Sequence, residues 1–298
     1  MAARILDGKE IARQIRMELA EEVAALKGLG HTPGLGVLLV GDHPASRSYV
    51  TAKEKACAEI GMLSREVHLP ASATREAILD AVHAFNIAAD IHGILVQLPL
   101  PNAAIEQEIL QAVDPDKDVD GFHPVNVGRM VLGLPAYWPC TPHGILQMLK
   151  RSGIPVSGRH VVVLGRSNIV GRPVSILLSM KHALGNATVT ICHTGSRQTA
   201  ELARQADIVI AAAGRPKTLT ADMVKPGAVV IDVGVNRIED PSHPRGHRLV
   251  GDADYDALLP VASAITPVPG GVGPMTIAML LFNTVQSARR RAGLPIKE

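Results

Sequence analysis

The chain has 298 residues, of which 47% are hydrophobic and 19% are charged, and its formal net charge at pH 7 is +2. This length and balance predict a globular protein with two domains and exclude a disordered chain. The charge is nearly neutral and forms no basic stripe, so we expect no nucleic-acid partner. Three widely spaced cysteines predict neither disulfides nor a zinc site, and no metal is expected.

Two stretches bear on targeting. Charged residues between Arg4 and Glu10 interrupt the N-terminus, so we expect no signal peptide and a cytoplasmic protein. The stretch at 257–288 carries no charge and could suggest a membrane span. Four prolines interrupt it, so the protein is expected to have no membrane association.

The first elements follow regular hydrophobic patterns. Apolar residues at helical spacing predict a helix over 7–28, with Asp7 as its cap and Glu10 three residues later, as in a capping box. A buried strand is predicted at 35–40. Further patterns predict strands at 66–69 and 92–98 and a helix at 74–88.

The segment at 44–61 predicts a helix with three polar side chains on one face. Ser46 is a natural N-cap for it. Ser46, Tyr49 and Lys53 lie at spacings i, i+3 and i+7, just after a strand end, where ligand sites of open α/β sheets lie. A desolvated Lys53 can act as an acid or a base. The alternative is that Lys53, like Lys55, is a solvated helix lysine.

The strand at 92–98 delivers Gln97 to a carboxyl end. The prolines at 99 and 101 forbid continuation of the sheet, so the Gln97 amide is free to donate and accept hydrogen bonds there. The alternative is an ordinary polar strand terminus.

A dense group of carboxylates follows. Asp116, Asp118 and Asp120 imitate the start of a calcium loop, but its twelfth position is Val127 rather than glutamate. We therefore expect no calcium and interpret one of these carboxylates as a hydrogen-bond acceptor for a ligand.

Residues 160–173, HVVVLGRSNIVGRP, predict a strand, a tight turn and the start of a helix. Such a turn holds dinucleotide phosphates, with backbone N–H groups at the helix start attracting the anion. Gly165 allows the turn and Gly171 allows close packing. Arg166 and Ser167 stand in the turn, where Ser167 replaces the middle glycine of the usual motif. The alternative is an ordinary buried strand and turn.

Hydroxyl and cationic side chains follow the next strand, at 187–192. A site for NAD usually has an acidic residue near this strand end, which contacts the ribose hydroxyl. His193, Ser196 and Arg197 instead suit a 2′-phosphate, which favours NADP over NAD. The alternative is a solvated polar loop.

Alternation of strands and helices continues to the end of the chain. Strands are predicted at 207–213 and 228–233, and Pro274 begins a last helix that ends near Gly293. This alternation predicts a parallel, doubly wound sheet. Residues 138–144 mark the crossing into this second domain.

Six motifs, in order along nearly the whole chain, resemble those of one enzyme family. They are Tyr49-Val50 with Lys53, VQLPLP at 96–101, KDVDG at 117–121, CTP at 140–142, GRSNIVGRP at 165–173 and TPVPGGVGP at 266–274. The chain closely resembles the bifunctional methylenetetrahydrofolate dehydrogenase/methenyltetrahydrofolate cyclohydrolases of folate one-carbon metabolism. Its loop at 194–199 differs from that of several family members.

The resemblance implies a fold and a reaction. Residues 1–139, joined by the C-terminal helix at 275–298, would form a three-layer α/β folate/catalytic domain. Residues 140–274 would form a Rossmann-type NADP domain with a doubly wound parallel sheet, and a cleft would lie between the two. Family members oxidise 5,10-methylenetetrahydrofolate with NADP and hydrolyse the methenyl product to 10-formyltetrahydrofolate, a reaction linked to purine biosynthesis. Tetrahydrofolate derivatives are the implied partners, and a homodimer is the implied assembly.

The resemblance also implies roles for single residues. For the folate these are Lys53 as the essential lysine, Tyr49 for positioning, Gln97 for orientation, Asp120 for holding the pterin, and Pro269 and Gly270 in a turn over the substrate. For the cofactor these are Gly165, Arg166 and Ser167 at the phosphates and Val235 near the nicotinamide.

Two alternatives are kept. One is a dehydrogenase that has lost the hydrolase step, against which the presence of Tyr49, Lys53 and Gln97 argues. The other is a non-catalytic NADP-binding protein, since a fold does not dictate a function. Such a protein would have no reason to hold Lys53, Gln97 and Asp120 together.

Overall fold

The chain forms two compact units in its structure, a computed structural model that describes residues 2–242 and 246–296. One unit contains the chain up to Ala12 and Thr141–Thr276, and the other contains Arg13–Cys140 and the chain from Ile277.

The helices are α1 (Gly8–Gly28), α2 (Pro44–Glu59), α3 (Arg75–Ile87), α4 (Glu106–Ala112), α5 (Pro124–Val131), α6 (Cys140–Arg151), α7 (Gly171–Ser179), α8 (Thr199–Gln205), α9 (Tyr255–Leu258) and α10 (Val272–Arg291). The strands are β1 (Arg4–Ile5), β2 (Gly34–Val40), β3 (Leu63–Leu69), β4 (Gly93–Val96), β5 (His160–Leu164), β6 (Thr188–Cys192), β7 (Ile208–Ala211), β8 (Val229–Asp232), β9 (Asn236–Glu239), β10 (His247–Val250) and β11 (Ala264–Ile265).

The unit that starts at Arg13 is built on a three-stranded parallel sheet in the order β3-β2-β4. Every residue of β2 is buried, as its continuous apolar run predicts for a strand covered on both faces. On one face, Leu38 and Val96 pack in a cluster with Phe85 of α3. On the other face, a Cβ added to Gly93 would lie 2.9 Å from the Thr284 hydroxyl of α10. The sheet is therefore the middle of three layers.

The starts of α1 and α2 follow different local signals. Asp7 Oδ1 accepts hydrogen bonds from the backbone N of Lys9 and Glu10 at 2.9 and 3.1 Å, so the predicted cap of α1 is confirmed. The predicted cap of α2 is wrong, because this helix begins at Pro44, whose missing N–H suits the first helical position. Ser46 lies inside the first turn and is buried.

The other unit is built on a six-stranded parallel sheet in the order β1-β11-β8-β7-β5-β6. Strand β5 lies between β6 and β7, so the direction of the connections reverses at β5. This is the predicted parallel, doubly wound arrangement, in which ligands bind outside the carboxyl ends of the strands at the reversal. Strands β9 and β10 form a separate antiparallel pair.

The N-terminus departs from the sequence-based domain boundaries. Strand β1 pairs with β11, in the register Arg4↔Ala264 and Ile5↔Ile265. The chain up to Ala12 therefore lies with the six-stranded sheet and not with residues 13–139. A two-residue strand gives no recognisable periodicity, and its partner stands near the other end of the sequence. Among the described residues, no helix combines the length and the apolar character that a membrane span requires.

Candidate active site

Lys53 is buried at the carboxyl ends of two neighbouring strands. It lies on α2, the helix that follows β2, and only 7% of its surface is exposed. Its Nζ donates a hydrogen bond to Gln97 Oε1 at 2.8 Å. Gln97 directly follows β4, which pairs with β2. The structure therefore brings these two predicted residues together and excludes a solvated Lys53.

The amide of Gln97 is held in one orientation. Its Nε2 donates to Leu98 O at 2.7 Å, and its backbone N donates to Leu38 O at 2.9 Å. Because the nitrogen of the amide is used in this way, the oxygen faces Lys53.

Asp120 and Cys140 set the electrostatics around Lys53. Burial lowers the pKa of Lys53, against the opposing effects of Asp120 and Cys140. Burial raises the pKa of Asp120, against the opposing effects of the Lys53 charge and the Cys140 thiol. Burial also raises the pKa of Cys140 well above its usual value, so this thiol stays protonated. The site thus holds a buried amine with a lowered pKa near a carboxyl group.

Asn283 of α10 supports this site and was not predicted from the sequence. It is 3% exposed, and its Nδ2 donates to Val119 O at 2.8 Å and to Trp138 O at 3.0 Å. The Cys140 thiol donates to the same Val119 O at 3.3 Å. Asn283 therefore fixes the peptide that precedes Asp120. The signal available in the sequence was one amide within the apolar stretch MTIAMLLFNTV.

The other carboxylates of the calcium-like stretch have structural partners. Asp118 is buried and accepts from His123 N at 2.8 Å and from Asn126 Nδ2 at 2.9 Å, which ties the loop to α5. Burial raises the pKa of Asp118 to about 6. Asp116 forms an ion pair on the surface. In the described parts of the chain, no group of three or more His, Cys, Asp or Glu residues could hold a metal ion.

Tyr49 lies one helical turn before Lys53 on α2 and is 41% exposed. An exposed aromatic ring of this kind can pack against a flat heteroaromatic ring. Nothing in the structure bonds Tyr49 to Lys53 or Gln97, so its positioning role stays a prediction.

The turn after β5 leaves room only for glycine at two positions. Gly165 has φ +127°, and a Cβ there would lie 2.1 Å from Ala212 O. A Cβ on Gly171 would lie 2.3 Å from Gly165 O. Both glycines therefore allow close backbone approach, as a dinucleotide turn requires.

Ser167 takes part in the helix start in a way that the sequence did not suggest. Its Oγ accepts from the backbone N of Val170 and Gly171 at 3.2 and 3.3 Å, and its carbonyl accepts from Arg172 N at 3.0 Å. These N–H groups at the start of α7 are used within the turn, and the expectation that they are free for an anion is wrong for them. Ser167 itself is exposed.

Of the residues predicted to contact a 2′-phosphate, Arg166, His193 and Ser196 lie close together. Arg166 Nη1 lies 3.4 Å from His193 Nε2, and Ser196 Oγ accepts from His193 N at 3.0 Å. Arg197 is exposed in the same loop. The loop at 193–198 carries no acidic residue. Cationic and hydroxyl groups next to a close-packed glycine turn fit a phosphorylated dinucleotide.

Three further predicted residues lie in the unit of the six-stranded sheet. Val235, just beyond β8, is 51% exposed. Pro269 is exposed, and Gly270, with φ +107°, accepts a hydrogen bond from Lys9 N at 3.2 Å. Their contacts with cofactor and substrate stay predictions.

A parallel sheet with a phosphate-type turn, joined in one chain to a buried lysine–amide pair, defines a dinucleotide-binding enzyme of the α/β class. Comparison with protein families supports this class. Residues 6–120 match the tetrahydrofolate dehydrogenase/cyclohydrolase catalytic domain, and residues 139–292 match the NAD(P)-binding domain of the same family. The chain belongs to the tetrahydrofolate dehydrogenase/cyclohydrolase family.

Individual relatives are similar to this chain over nearly its full length. The chain is 54% identical over 289 residues to bifunctional protein FolD 1 of Myxococcus xanthus, covering 97% of this chain and 98% of that one. A solved structure of the Campylobacter jejuni FolD methylenetetrahydrofolate dehydrogenase/cyclohydrolase is 46% identical with a TM-score of 0.91, covering 97% of this chain and all (100%) of that chain. The Trypanosoma brucei enzyme, solved with NADP and an inhibitor, is 42% identical with a TM-score of 0.92, covering 98% and 99% of the two chains.

Proposed function

We propose that this protein oxidises 5,10-methylenetetrahydrofolate to the methenyl form with NADP and hydrolyses that product to 10-formyltetrahydrofolate. The observation that carries the proposal is the buried Lys53, whose Nζ lies 2.8 Å from Gln97 Oε1. Family membership and the relative solved with NADP support the same reaction pair.

Hydrolysis needs a base, and Lys53 supplies it. Water attacks the methenyl carbon and loses one proton to the base. The bond from this carbon to one of the two folate nitrogens then breaks, the remaining hydroxyl proton passes to that nitrogen, and a formyl group stays on the other. A free lysine, with a pKa of about 10.4, is almost wholly charged at neutral pH and cannot accept that proton. Burial lowers the pKa of Lys53 and increases its neutral fraction. Gln97 holds the amine in place through the hydrogen bond to its Oε1.

The pterin ring is held by residues near Lys53. The carboxylate of Asp120 can accept hydrogen bonds from the ring's amino and N–H groups. Tyr49 packs against the ring one turn away from Lys53. The peptide before Asp120 is fixed by Asn283, so the carboxylate is oriented before substrate arrives.

Oxidation of the methylene bridge requires no base. The adjacent folate nitrogen stabilises the cation that forms, and NADP, when bound, accepts the hydride. The residues that hold the cofactor are Gly165, Arg166 and Ser167 in the turn and His193, Ser196 and Arg197 in the next loop, with Val235 near the nicotinamide. The absence of an acid at 193–198 favours NADP over NAD.

The oligomeric state, the cellular compartment and the metabolic role of the enzyme are also part of the proposal. We expect a homodimer, since β3 is an edge strand of its sheet and offers backbone groups for pairing with a second copy. All three cysteines are free and buried, which suits the reducing cytoplasm. The formyl product fits a role in purine biosynthesis.

Replacement of Lys53 tests the proposal. In Lys53→Met, loss of the general base should reduce methenyltetrahydrofolate hydrolysis by roughly a hundred- to ten-thousandfold. Dehydrogenase activity should fall less, because it loses only substrate positioning. Both steps are assayed on the folded variant, by decay of the methenyl chromophore and by formation of NADPH.

Lys55→Met is the matched control, because Lys55 lies exposed on the same helix. Its two activities should equal those of the wild type. Wild-type NADPH formation without methenyl hydrolysis would favour a dehydrogenase-only enzyme, and binding of NADP without either activity would favour the non-catalytic alternative. Near wild-type hydrolysis by Lys53→Met would remove Lys53 from the mechanism.

A further inference from the structure

Two buried carboxylates, one at the end of β8 and one against the loop after β7, take no part in the function above. Asp232 is the last residue of β8 and is 2% exposed, and Asp252 is completely buried. Buried carboxylates are costly unless hydrogen bonds compensate them, so their partners show what they hold in place.

Asp252 holds two loops together. Its Oδ2 accepts from Ala213 N at 2.6 Å and from Gly214 N at 2.8 Å, in the loop after β7. Its Oδ1 accepts from Asn236 Nδ2 at 2.8 Å, in the segment after β8. One side chain thus fixes the backbone of the loop after β7 and holds the Asn236 side chain at the start of β9.

Asp232 in turn holds Asp252. Its Oδ1 accepts from Asp252 N at 2.8 Å and from Gly234 N at 3.0 Å, and its Oδ2 accepts from Ala253 N at 2.9 Å. Both carboxylates approach a glycine closely. A Cβ on Gly251 would lie 1.8 Å from Asp232 Oδ2, and a Cβ on Gly234 would lie 2.1 Å from Asp252 Oδ1.

The topology indicates which part of a dinucleotide these loops meet. The strand order reverses at β5, and a dinucleotide lies across the carboxyl ends on both sides of such a reversal. The loop after β6, with His193 and Ser196, is where the ribose of the adenosine half is read. The nicotinamide half then lies at the carboxyl ends of β7 and β8, next to the segments that Asp252 contacts.

We propose that Asp252 is a positioning residue that holds the loops after β7 and β8 in the conformation that accepts the nicotinamide half of NADP. The inference rests on the proposed cofactor. It separates two groups of residues: Arg166 and the loop after β6 serve the adenosine half, and Asp252, supported by Asp232, serves the other half.

Asp252→Asn tests this positioning role with minimal change in volume. An amide has one accepting oxygen where the carboxylate has two. Either Ala213 N and Gly214 N or Asn236 Nδ2 would therefore face an NH2 donor instead of an acceptor. The readout is the dissociation constant by calorimetry of NADP and of 2′,5′-ADP, a probe that lacks the nicotinamide half. We expect NADP to bind about tenfold more weakly and 2′,5′-ADP to bind as in the wild type.

Two further variants complete the experiment. Asn236→Ala removes a single donor from Asp252 and should weaken NADP in the same direction but less. Asp256→Asn is the matched control, since Asp256 is exposed on α9 in the same unit and should leave both constants unchanged. Hydrolysis of methenyltetrahydrofolate, which consumes no cofactor, should stay at the wild-type level in all three.

The outcomes separate this inference from the proposed function. Equal weakening of NADP and 2′,5′-ADP in Asp252→Asn would show a general structural role and overturn the inference, as would unchanged binding of both. A wild-type protein that binds neither ligand would instead overturn the proposed cofactor itself.

Discussion

Arg166 presents its guanidinium 3.4 Å from the imidazole of His193, and residues 193–198 include no acid to neutralise the guanidinium. A 2′-phosphate would provide that charge, through bonds worth roughly 1.5–3 kcal/mol. In Arg166→Ala, NADP should therefore bind about ten- to a hundredfold more weakly, while NAD changes little. Titration of each cofactor by calorimetry measures the two constants.

Arg172→Ala is the control for this comparison. Arg172 is an exposed arginine on α7 whose Nη1 donates to Asn168 Oδ1, so its removal should affect neither cofactor. If Arg166→Ala weakened NADP and NAD equally, the 2′-phosphate would have to be recognised by other residues, such as Arg197.

The loop before α5 depends on one buried carboxyl group. Burial raises the pKa of Asp118 to about 6, above the usual 3.8, so the folded protein binds more protons than the unfolded chain between these values. The contribution of Asp118 to the free energy of unfolding is then largest below pH 4 and is lost as the pH rises through about 6, by roughly 3 kcal/mol. Urea unfolding of the wild type and Asp118→Asn at several pH values tests this, since the variant lacks the titration.

We expect the free energy of unfolding of the wild type to fall relative to that of Asp118→Asn as the pH increases from 4 to 7. Asp80→Asn, which replaces an exposed carboxylate on α3, serves as the control. A constant difference for Asp118→Asn would show that this carboxyl group titrates normally in the fold.

The elements that local pattern determines could be predicted from the sequence. The helix after Asp7, the strands around Val37 and Val162 and the turn at Gly165 follow from hydrophobic period, capping and glycine placement. The N-cap of α2 was predicted wrongly because Ser46 and Pro44 are both helix-start signals, and the proline acts two residues earlier.

The residues that support the sites could not be predicted, because their roles arise from contacts across the fold. Asn283 reaches Val119 from a helix at the other end of the chain, and Asp252 reaches Ala213 from beyond the β9–β10 pair. Neither lies in a local pattern that distinguishes it from a solvated polar residue. Lys53 and Gln97 were found because each follows a strand end, where function concentrates in α/β proteins.

At the scale of the whole molecule, the assembly is a homodimer in our proposal, and its size can be measured directly. Sedimentation equilibrium at micromolar concentration should give twice the chain mass of 31.5 kDa. A fully active species of single chain mass would contradict the dimer.

The pairing of β1 with β11 has a consequence for how the protein is made. Synthesis proceeds from the N-terminus, so Arg4 leaves the ribosome long before its partner Ala264 exists. The six-stranded sheet therefore cannot gain its edge strand until synthesis has passed Ile265. The three-stranded sheet waits as well, since its covering helix α10 is translated later still. A nascent chain stalled before residue 264 would present both units unfinished, and completion of the two must follow the synthesis of β11 and α10.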